Sequence, residues 1–436
     1  GEQRKKALQN LRVGICELFD DEFKRDCSRQ GQARELDIIL DLFSSSTASF
    51  SEKNDILLIT KQALYSKHWK EIAESSRGLY AASCFLVAQD VFSQGEWKEA
   101  LRLLDLGIMM GGPLLVDVLH RSVEIVQQSS PKLREKPTQT TPQQKKSRKD
   151  HDSPDFSSFS STTSPSSSSS SLSSSAASSS PSPSPSPLSS SPPQLKTKIQ
   201  KIQRAKLPSL ESFYNNFLKQ GKPVIIQGAF ESWPALTKWK NSGYFLEVAG
   251  HRTVPVEVGS NYLANDWGQQ LMTFSDFIEK HIENPSENTP IGYLAQTQLL
   301  EQIPKLSEDI ERPFYTYMEN DEDIYIINFW YGPKGTITPC HFDPYHVLLV
   351  QTVGQKRVRL YDRKEKERMY PRDDVMNNSS QVDILNPDLV KYPLFGDIEA
   401  CYEDIIGPGE GVLIPRGMWH HVSSLSTSIS ISFWWG

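Results

Sequence analysis

Near its C-terminal end the chain carries Pro339-Cys340-His341-Phe342-Asp343-Pro344-Tyr345-His346, running on into the apolar Val347-Leu348-Leu349-Val350. Read as one strand, this stretch puts His341 and Asp343 on a common face, because alternate strand residues share a side. An imidazole nitrogen and a carboxylate oxygen then converge on one point, which suits a metal ion. Two ligands do not hold a reactive divalent ion, so a third must come from elsewhere. His346 has the opposite parity and is expected to point away. His420 and His421 remain, in Pro415-Arg416-Gly417-Met418-Trp419-His420-His421-Val422, just after the short strand Gly411-Val412-Leu413-Ile414. Two histidines and one carboxylate form the facial triad of non-haem Fe(II) oxygenases, which leaves positions open for substrate and oxygen. A His-x-Asp pair also arises by chance at strand starts, so its surroundings decide.

The next alternating segment is Lys356-Arg357-Val358-Arg359-Leu360-Tyr361. Lys356 shares a face with Val358 and Leu360, while Arg357 and Arg359 take the other. A buried ammonium is unfavourable unless an anion pairs with it. The second carboxylate of a 2-oxoglutarate cosubstrate would be such an anion. The alternative is a strand-end lysine whose charged head reaches water along its own stem.

From about Lys206 to Gly436 the chain resembles the jumonji-C (JmjC) 2-oxoglutarate oxygenases. The opening Leu207-Pro208-Ser209-Leu210, Gly221-Lys222-Pro223-Val224-Ile225-Ile226 and Trp233-Pro234-Ala235 carry it loosely. Val254-Pro255-Val256-Glu257-Val258-Gly259-Ser260, Gly292-Tyr293-Leu294-Ala295-Gln296, Gly335-Thr336-Ile337-Thr338-Pro339 and Ser432-Phe433-Trp434-Trp435 carry it specifically. By that resemblance His341, Asp343 and His420 are the iron ligands, His420 being preferred to His421 because it aligns with the family's Trp-His step. Lys356 matches the partner of the 2-oxoglutarate C5 carboxylate, Tyr293 and Thr338 match hydroxyls that hydrogen-bond the same cosubstrate, and Asn328 and Trp330 match the strand lining the pocket. The implied cofactors are Fe(II), 2-oxoglutarate and O2. One position departs from the pattern. Relatives have an asparagine four residues after the metal-binding aspartate, where this chain has Val347, and one cosubstrate contact is thereby lost.

Glu257 sits between Val256 and Val258 in a strand, where an unpaired carboxylate is unfavourable. With Trp267 and Trp330 as aromatic faces it suits a cationic side chain. Arginine fits well, being planar and bidentate. The alternative is that Glu257 faces solvent and the tryptophans are core. By resemblance Glu257 and Trp267 match the arginine pocket of the family's arginyl hydroxylase branch. The expected activity is protein hydroxylation, with arginine C3 as the preferred target. Methyl-lysine demethylation and a metal-dependent peptidase acting on histone tails are alternatives that the resemblance carries, and a binding-only cupin is a third. The expected partner is a protein or peptide bearing arginine or methyl-lysine, histones included. A homodimer contact through Trp434 and Trp435 stays open.

The elements that must position these residues come in two blocks. At 436 residues the chain exceeds one usual domain. Residues 1–128 read as a helical domain: Leu36, Ile39, Leu40 and Phe43 have the spacing of one helix face, as do Leu101, Leu104 and Ile108. His68-Trp69-Lys70-Glu71-Ile72 and Glu96-Trp97-Lys98-Glu99-Ala100 echo each other, which a tetratricopeptide-type helix-pair repeat or an ordinary bundle would both allow. Residues 129–205 read as a disordered Ser/Pro-rich linker, too poor in apolar side chains to offset chain entropy. Residues 206–436 read as a double-stranded β-helix, or jelly roll, of short strands. Expected strands include Pro223–Ile226, Val254–Val258, Ile324–Asn328 and Ser428–Phe433, and expected helices Leu210–Lys219, Phe274–Ile282 and Leu299–Ile303. The fold class is thus α+β multidomain.

Composition bounds the setting. A net charge of −6 argues against general nucleic-acid binding, and no sequence-specific contact to nucleic acid is expected. Cys16, Cys27, Cys84, Cys340 and Cys401 are odd in number and form no CxxC pair, which fits a reducing compartment. Neither a signal peptide nor an apolar run of membrane-spanning length is seen. Lys145-Lys146-Ser147-Arg148-Lys149 is a candidate nuclear import cluster, so the nucleus is the expected location, with the cytoplasm as the other.

Overall fold

Leu36, Ile39 and Phe43 are all buried in one helix of the computed structural model, as their spacing predicts. The structure describes residues 2–12, 14–45, 47–66, 71–129, 195–286, 288–319 and 324–436. Its first part consists of α1 (Glu2–Asn10), α2 (Ile15–Leu18), α3 (Asp21–Arg29), α4 (Ala33–Ser44), α5 (Phe50–Tyr65), α6 (Glu74–Ser93), α7 (Trp97–Met110) and α8 (Val116–Gln127). Local chemistry sets where helices begin. At α5 the Ser49 hydroxyl accepts from the Glu52 amide at 3.3 Å while the Glu52 carboxylate accepts from the Ser49 amide at 2.8 Å. The helix α6 is buried around its whole circumference from Leu79 to Ala88, and α1, α3, α4, α5 and α7 pack against it. Trp69 of the paired-tryptophan echo, the Lys145–Lys149 cluster and residues 130–194 of the linker lie outside the described residues.

The second part is built from β1 (Lys198–Gln200), β2 (Arg204–Lys206), β3 (Val224–Gln227), β4 (Thr253–Val258), β5 (Gly268–Thr273), β6 (Gly292–Thr297) and β7 (Tyr325–Gly332). It continues with β8 (Ile337–His341), β9 (His346–Val353), β10 (Lys356–Tyr361), β11 (Ala400–Ile406), β12 (Gly411–Ile414), β13 (Trp419–Ser424) and β14 (Ser428–Trp435). One sheet has the order β1-β11-β10-β13-β8 and the other β2-β3-β12-β9-β14-β7-β6-β4-β5. Val347, Leu349, Val358, Leu360, Ile414 and Val422 from both sheets meet in one apolar cluster, so the sheets face each other as in a jelly roll. The opposite face of the larger sheet packs Ile429, Ile431, Phe433 and Trp435 against Trp239, Phe245 and Phe274.

Three differences from the sequence reading have plain causes. Strand β1 and the start of β2 fall inside the stretch assigned to the linker: β1 pairs in parallel with Ala400–Tyr402, and Arg204 binds Asp404 at 3.1 Å and Glu410 at 3.0 Å. Few apolar residues are needed at such edge positions, so composition hides them. The serine alternation of β14 predicts one buried face, yet Ser430 and Ser432 are 0% and 1% exposed. This strand lies in mid-sheet between β7 and β9, and its serines turn toward the inter-sheet space. Trp435 is fully buried, its indole N–H donating to the Met318 carbonyl at 2.7 Å, which removes it as a homodimer surface.

The helical layer and the barrel belong to one compact unit and meet at a buried charge. Asp105 of α7, 0% exposed, accepts from Arg252 Nε at 2.8 Å, from Arg252 Nη2 at 2.6 Å and from the Thr253 amide at 2.7 Å. Gln302 Nε2 adds a bond at 3.0 Å. The helices are therefore held to the first residue of β4 by side chains and not only through a chain connection. Among the described residues no helix is long and apolar enough to cross a membrane.

Candidate active site

Proline lacks the N–H that a strand ladder needs, and the stretch read as one strand breaks around Pro344. Strand β8 ends at His341 and β9 starts at His346 in the other sheet, so Asp343 stands in the turn between sheets. Convergence is achieved all the same. Asp343 Oδ1 lies 3.6 Å from His341 Nε2 and Oδ2 lies 3.5 Å from His420 Nε2. One ligand atom from each of the three falls within 4.8 Å of the others. The Asp343 carbonyl accepts from the Gly417 amide at 2.9 Å, which ties this turn to the one that presents His420. Gly417 has φ of +74°, a conformation that glycine adopts without strain. His346 does point away, but because it starts a strand of the other sheet, where its Nε2 is 3.3 Å from the Glu319 carboxylate. His421 alternates to the other face of β13, and its buried Nδ1 has no hydrogen-bond partner among the described residues.

Backbone carbonyls fix the tautomers. His341 Nδ1 is 2.8 Å from the Pro339 carbonyl oxygen and His420 Nδ1 is 3.0 Å from that of Met418. A carbonyl oxygen only accepts, so each Nδ1 carries the proton and each Nε2 turns its lone pair to the common point. Burial, reinforced by the adjacent His341, pushes His420 down to about 4, so it is neutral at neutral pH.

A cavity opens beside this triad, lined by Tyr293, Thr338, Trp330 and Lys356 together with apolar Val347, Leu349 and Trp434. Lys356 is 1% exposed, as its parity with Val358 and Leu360 predicts. Its ammonium donates to the Tyr293 hydroxyl at 3.2 Å, and no carboxylate among the described residues pairs with it. Burial pushes it down to about 7. The Tyr293 hydroxyl also bonds the Thr338 side chain. Two imidazoles and a carboxylate at one end, with a buried cation lacking an anion among the described residues at the other, fit a divalent metal and an anionic cosubstrate. Asn328 is in register with Ser432, a residue of the cavity wall, without lining the cavity itself.

Comparison with known proteins agrees with that donor set. Residues 210–436 match the family described as Cupin-like domain, and residues 58–141 match KDM8-like, N-terminal ARM repeats. The chain is 36% identical to Lysine-specific demethylase 8 of Xenopus tropicalis over 385 residues, 86% of each chain. It belongs to the JmjC cupin-like oxygenase family. It is also 36% identical to Lysine-specific demethylase JMJ30 of Arabidopsis thaliana over 375 residues, covering 86% of this chain and 83% of that one. Jumonji C domain-containing protein 5 of Drosophila melanogaster is 39% identical over 233 residues, 52% of this chain and 58% of the other. JmjC oxygenases use Fe(II) and 2-oxoglutarate.

On the far side of this JmjC pocket, Glu257 of β4 is the direct cross-strand partner of Tyr293 on β6. Burial raises its carboxyl, and a hydrogen bond from Trp267 partly offsets that rise. Trp267 is 40% exposed, so it is not core. Trp330 is committed inward, its indole N–H donating to Ser432 Oγ at 2.8 Å. Sequence reasoning missed Tyr262, which stands in the loop after β4 with its ring centroid 6.4 Å from that of His341 and its hydroxyl 3.3 Å from Ser379 Oγ. No spacing rule reaches a loop residue of this kind. It also missed Ser432 and Trp434 as cavity wall, because the strand was read as buried on one face.

Proposed function

We propose that this protein hydroxylates arginine side chains of protein substrates. His341 Nε2, His420 Nε2 and an Asp343 oxygen would hold Fe(II). Lys356 Nζ would pair with the distal carboxylate of 2-oxoglutarate, with the Tyr293 and Thr338 hydroxyls beside it and Trp330 as a wall. Bound there, metal and cosubstrate supply the oxidising power that inserts one atom of O2 into a C–H bond while 2-oxoglutarate becomes succinate and CO2. The observation that carries the choice of arginine is Glu257, a half-buried carboxylate with an indole donor and no cation partner among the described residues, one strand away from Tyr293. A guanidinium would bring the missing charge and more than one donor.

Methyl-lysine demethylation is the second reading, favoured by the printed names of the Xenopus and Arabidopsis relatives. On either reading the partner is a protein or peptide, histone tails included, and the nucleus is the expected place of action. The test is incubation of the Fe(II)-loaded protein with arginine and methyl-lysine peptides under oxygen, reading succinate and product mass. A gain of one oxygen on the arginine peptide supports hydroxylation, and loss of a methyl group supports the second reading. No succinate above an Asp343→Ala control would sink both.

A further inference from the structure

The hairpin that carries Glu257 and Trp267 is held to the barrel at one end and to the helices at the other. Strands β4 and β5 pair from Thr253 opposite Thr273 to Val258 opposite Gly268. Glu257 and Trp267, which share a hydrogen bond, stand at the Val258–Gly268 end. Among the described residues only Glu257 and Val258 continue the sheet, pairing with Tyr293 and Gly292 of β6. At the Thr253 end side chains replace a strand partner. Asp105 Oδ2 accepts the Thr253 N–H at 2.7 Å, and Gln302 Nε2 donates to the Thr253 carbonyl at 2.7 Å. Both side chains are buried. Trp97 of α7 meets His251 edge-on with ring centroids 4.8 Å apart, and the Phe274 amide after β5 donates to the Arg252 carbonyl at 2.8 Å. Val254 and Val256 sink into the barrel core. Apolar burial is non-directional and sets how deep the hairpin lies. Directional hydrogen bonds set where it stands along its own axis.

We propose that the helical layer positions the arginine pocket: Asp105, with Gln302, fixes the start of β4 and thereby the place of Glu257 beside the cavity. The proposal rests on the arginine reading of Glu257 given above. Asp105 touches neither metal ligand nor cosubstrate site, so it is a positioning residue. From Thr253 to Glu257 is four strand steps, about 13 Å, and an extended strand passes a shift at one end to the other. A shift of about 1 Å is enough to spoil the alignment of a bound group. The cosubstrate end does not share that shift, because Lys356 and Thr338 stand on β10 and β8.

The experiment compares steady-state kinetics of the Fe(II)-loaded full chain on a histone-tail arginine peptide, with 2-oxoglutarate binding measured on the Mn(II) form. Asp105→Asn leaves one acceptor oxygen where two are used, so a donor comes to face a donor. Asp105→Asn and Gln302→Met should each raise KM for the peptide about tenfold, with kcat and 2-oxoglutarate affinity little changed. Leu36→Ala, a core truncation in α4, should lower the melting temperature and leave KM in place. Asp105→Asn combined with Glu257→Gln should be no worse than Glu257→Gln alone, since the first acts through the second. Additive losses, or a KM raised no more than by Leu36→Ala, would make Asp105 merely structural and overturn the proposal. Should Asp105→Asn fail to fold, Gln302→Met and its combination with Glu257→Gln decide in the same way. If Glu257→Gln leaves KM unchanged, or no arginine peptide is turned over, the arginine reading falls and this role falls with it.

Discussion

Two buried cations, Arg252 and Lys356, are 2% and 1% exposed and are treated in opposite ways. Arg252 meets Asp105 through two nitrogens and also donates to the Gln302 carbonyl at 2.9 Å. Lys53 in the helical layer is handled likewise, 2.8 Å from Asp90. Lys356 has one neutral hydroxyl and two aromatic rings, with ring centroids 5.5 and 5.8 Å away. A paired cation belongs to the architecture, because every group needed to neutralise it is part of the chain. An unpaired one at the back of a cavity is a liability to the apo protein, and an anionic ligand relieves it. Burial alone does not separate structural from functional charge. What decides is whether the chain supplies the counter-ion.

Breaking the paired side should have the largest effect on stability. Asp105→Ala leaves Arg252 buried without its partner, and truncating one member of such a pair costs about 3–5 kcal/mol. Denaturant unfolding should show a loss of that order, and a variant as stable as the wild type would mean the helical layer is held by its apolar contacts instead. Glu257 extends the contrast to an anion without a cation. Glu257→Gln should leave 2-oxoglutarate binding unchanged and weaken an arginine peptide by roughly 1.5–3 kcal/mol, the range for hydrogen bonds to charged groups. Equal loss of both would make Glu257 structural. The unpaired side also carries a pH dependence. The Lys356 ammonium is held near 7 when folded and returns to about 10.4 when unfolded. Between those values the unfolded chain binds more protons, so stability rises with pH across the window. The apo advantage of Lys356→Ala over the wild type should therefore be greatest below pH 7 and vanish toward about 10.

Much of the site was legible because it lies on strands with clean alternation. Lys356 was placed inside by Val358 and Leu360, and the structure agrees. The pairing of His341 with Asp343 was found for a partly mistaken reason: strand periodicity was extended through Pro344, while the carboxylate is in fact delivered by a turn between two sheets. A short sequence separation survives such an error, since both residues stay close however the chain bends. The serines of β14 were harder, because a polar residue in a central strand looks like a solvent face until its neighbours are known. Least legible was the Asp105–Arg252 contact, which joins positions 147 residues apart and leaves no local pattern. Nothing in the composition of residues 195–206 announced β1 and β2 either, since edge strands with exposed lysines resemble a linker.

The most direct test is thermal unfolding of the Mn(II)-loaded wild type and Lys356→Ala, each with and without millimolar 2-oxoglutarate. The expected result is a marked rise in melting temperature for the wild type and little or none for the variant. Loss of a buried ion pair of this kind amounts to about 2–5 kcal/mol, which is roughly 30-fold or more in affinity. The metal-dependent part of the stabilisation should be the same in both, since Lys356 touches no ligand of the triad. If Lys356→Ala gains the full wild-type shift, the ammonium is not the cosubstrate's counter-ion. If the wild type gains none, the barrel does not bind 2-oxoglutarate and the oxygenase reading is contradicted.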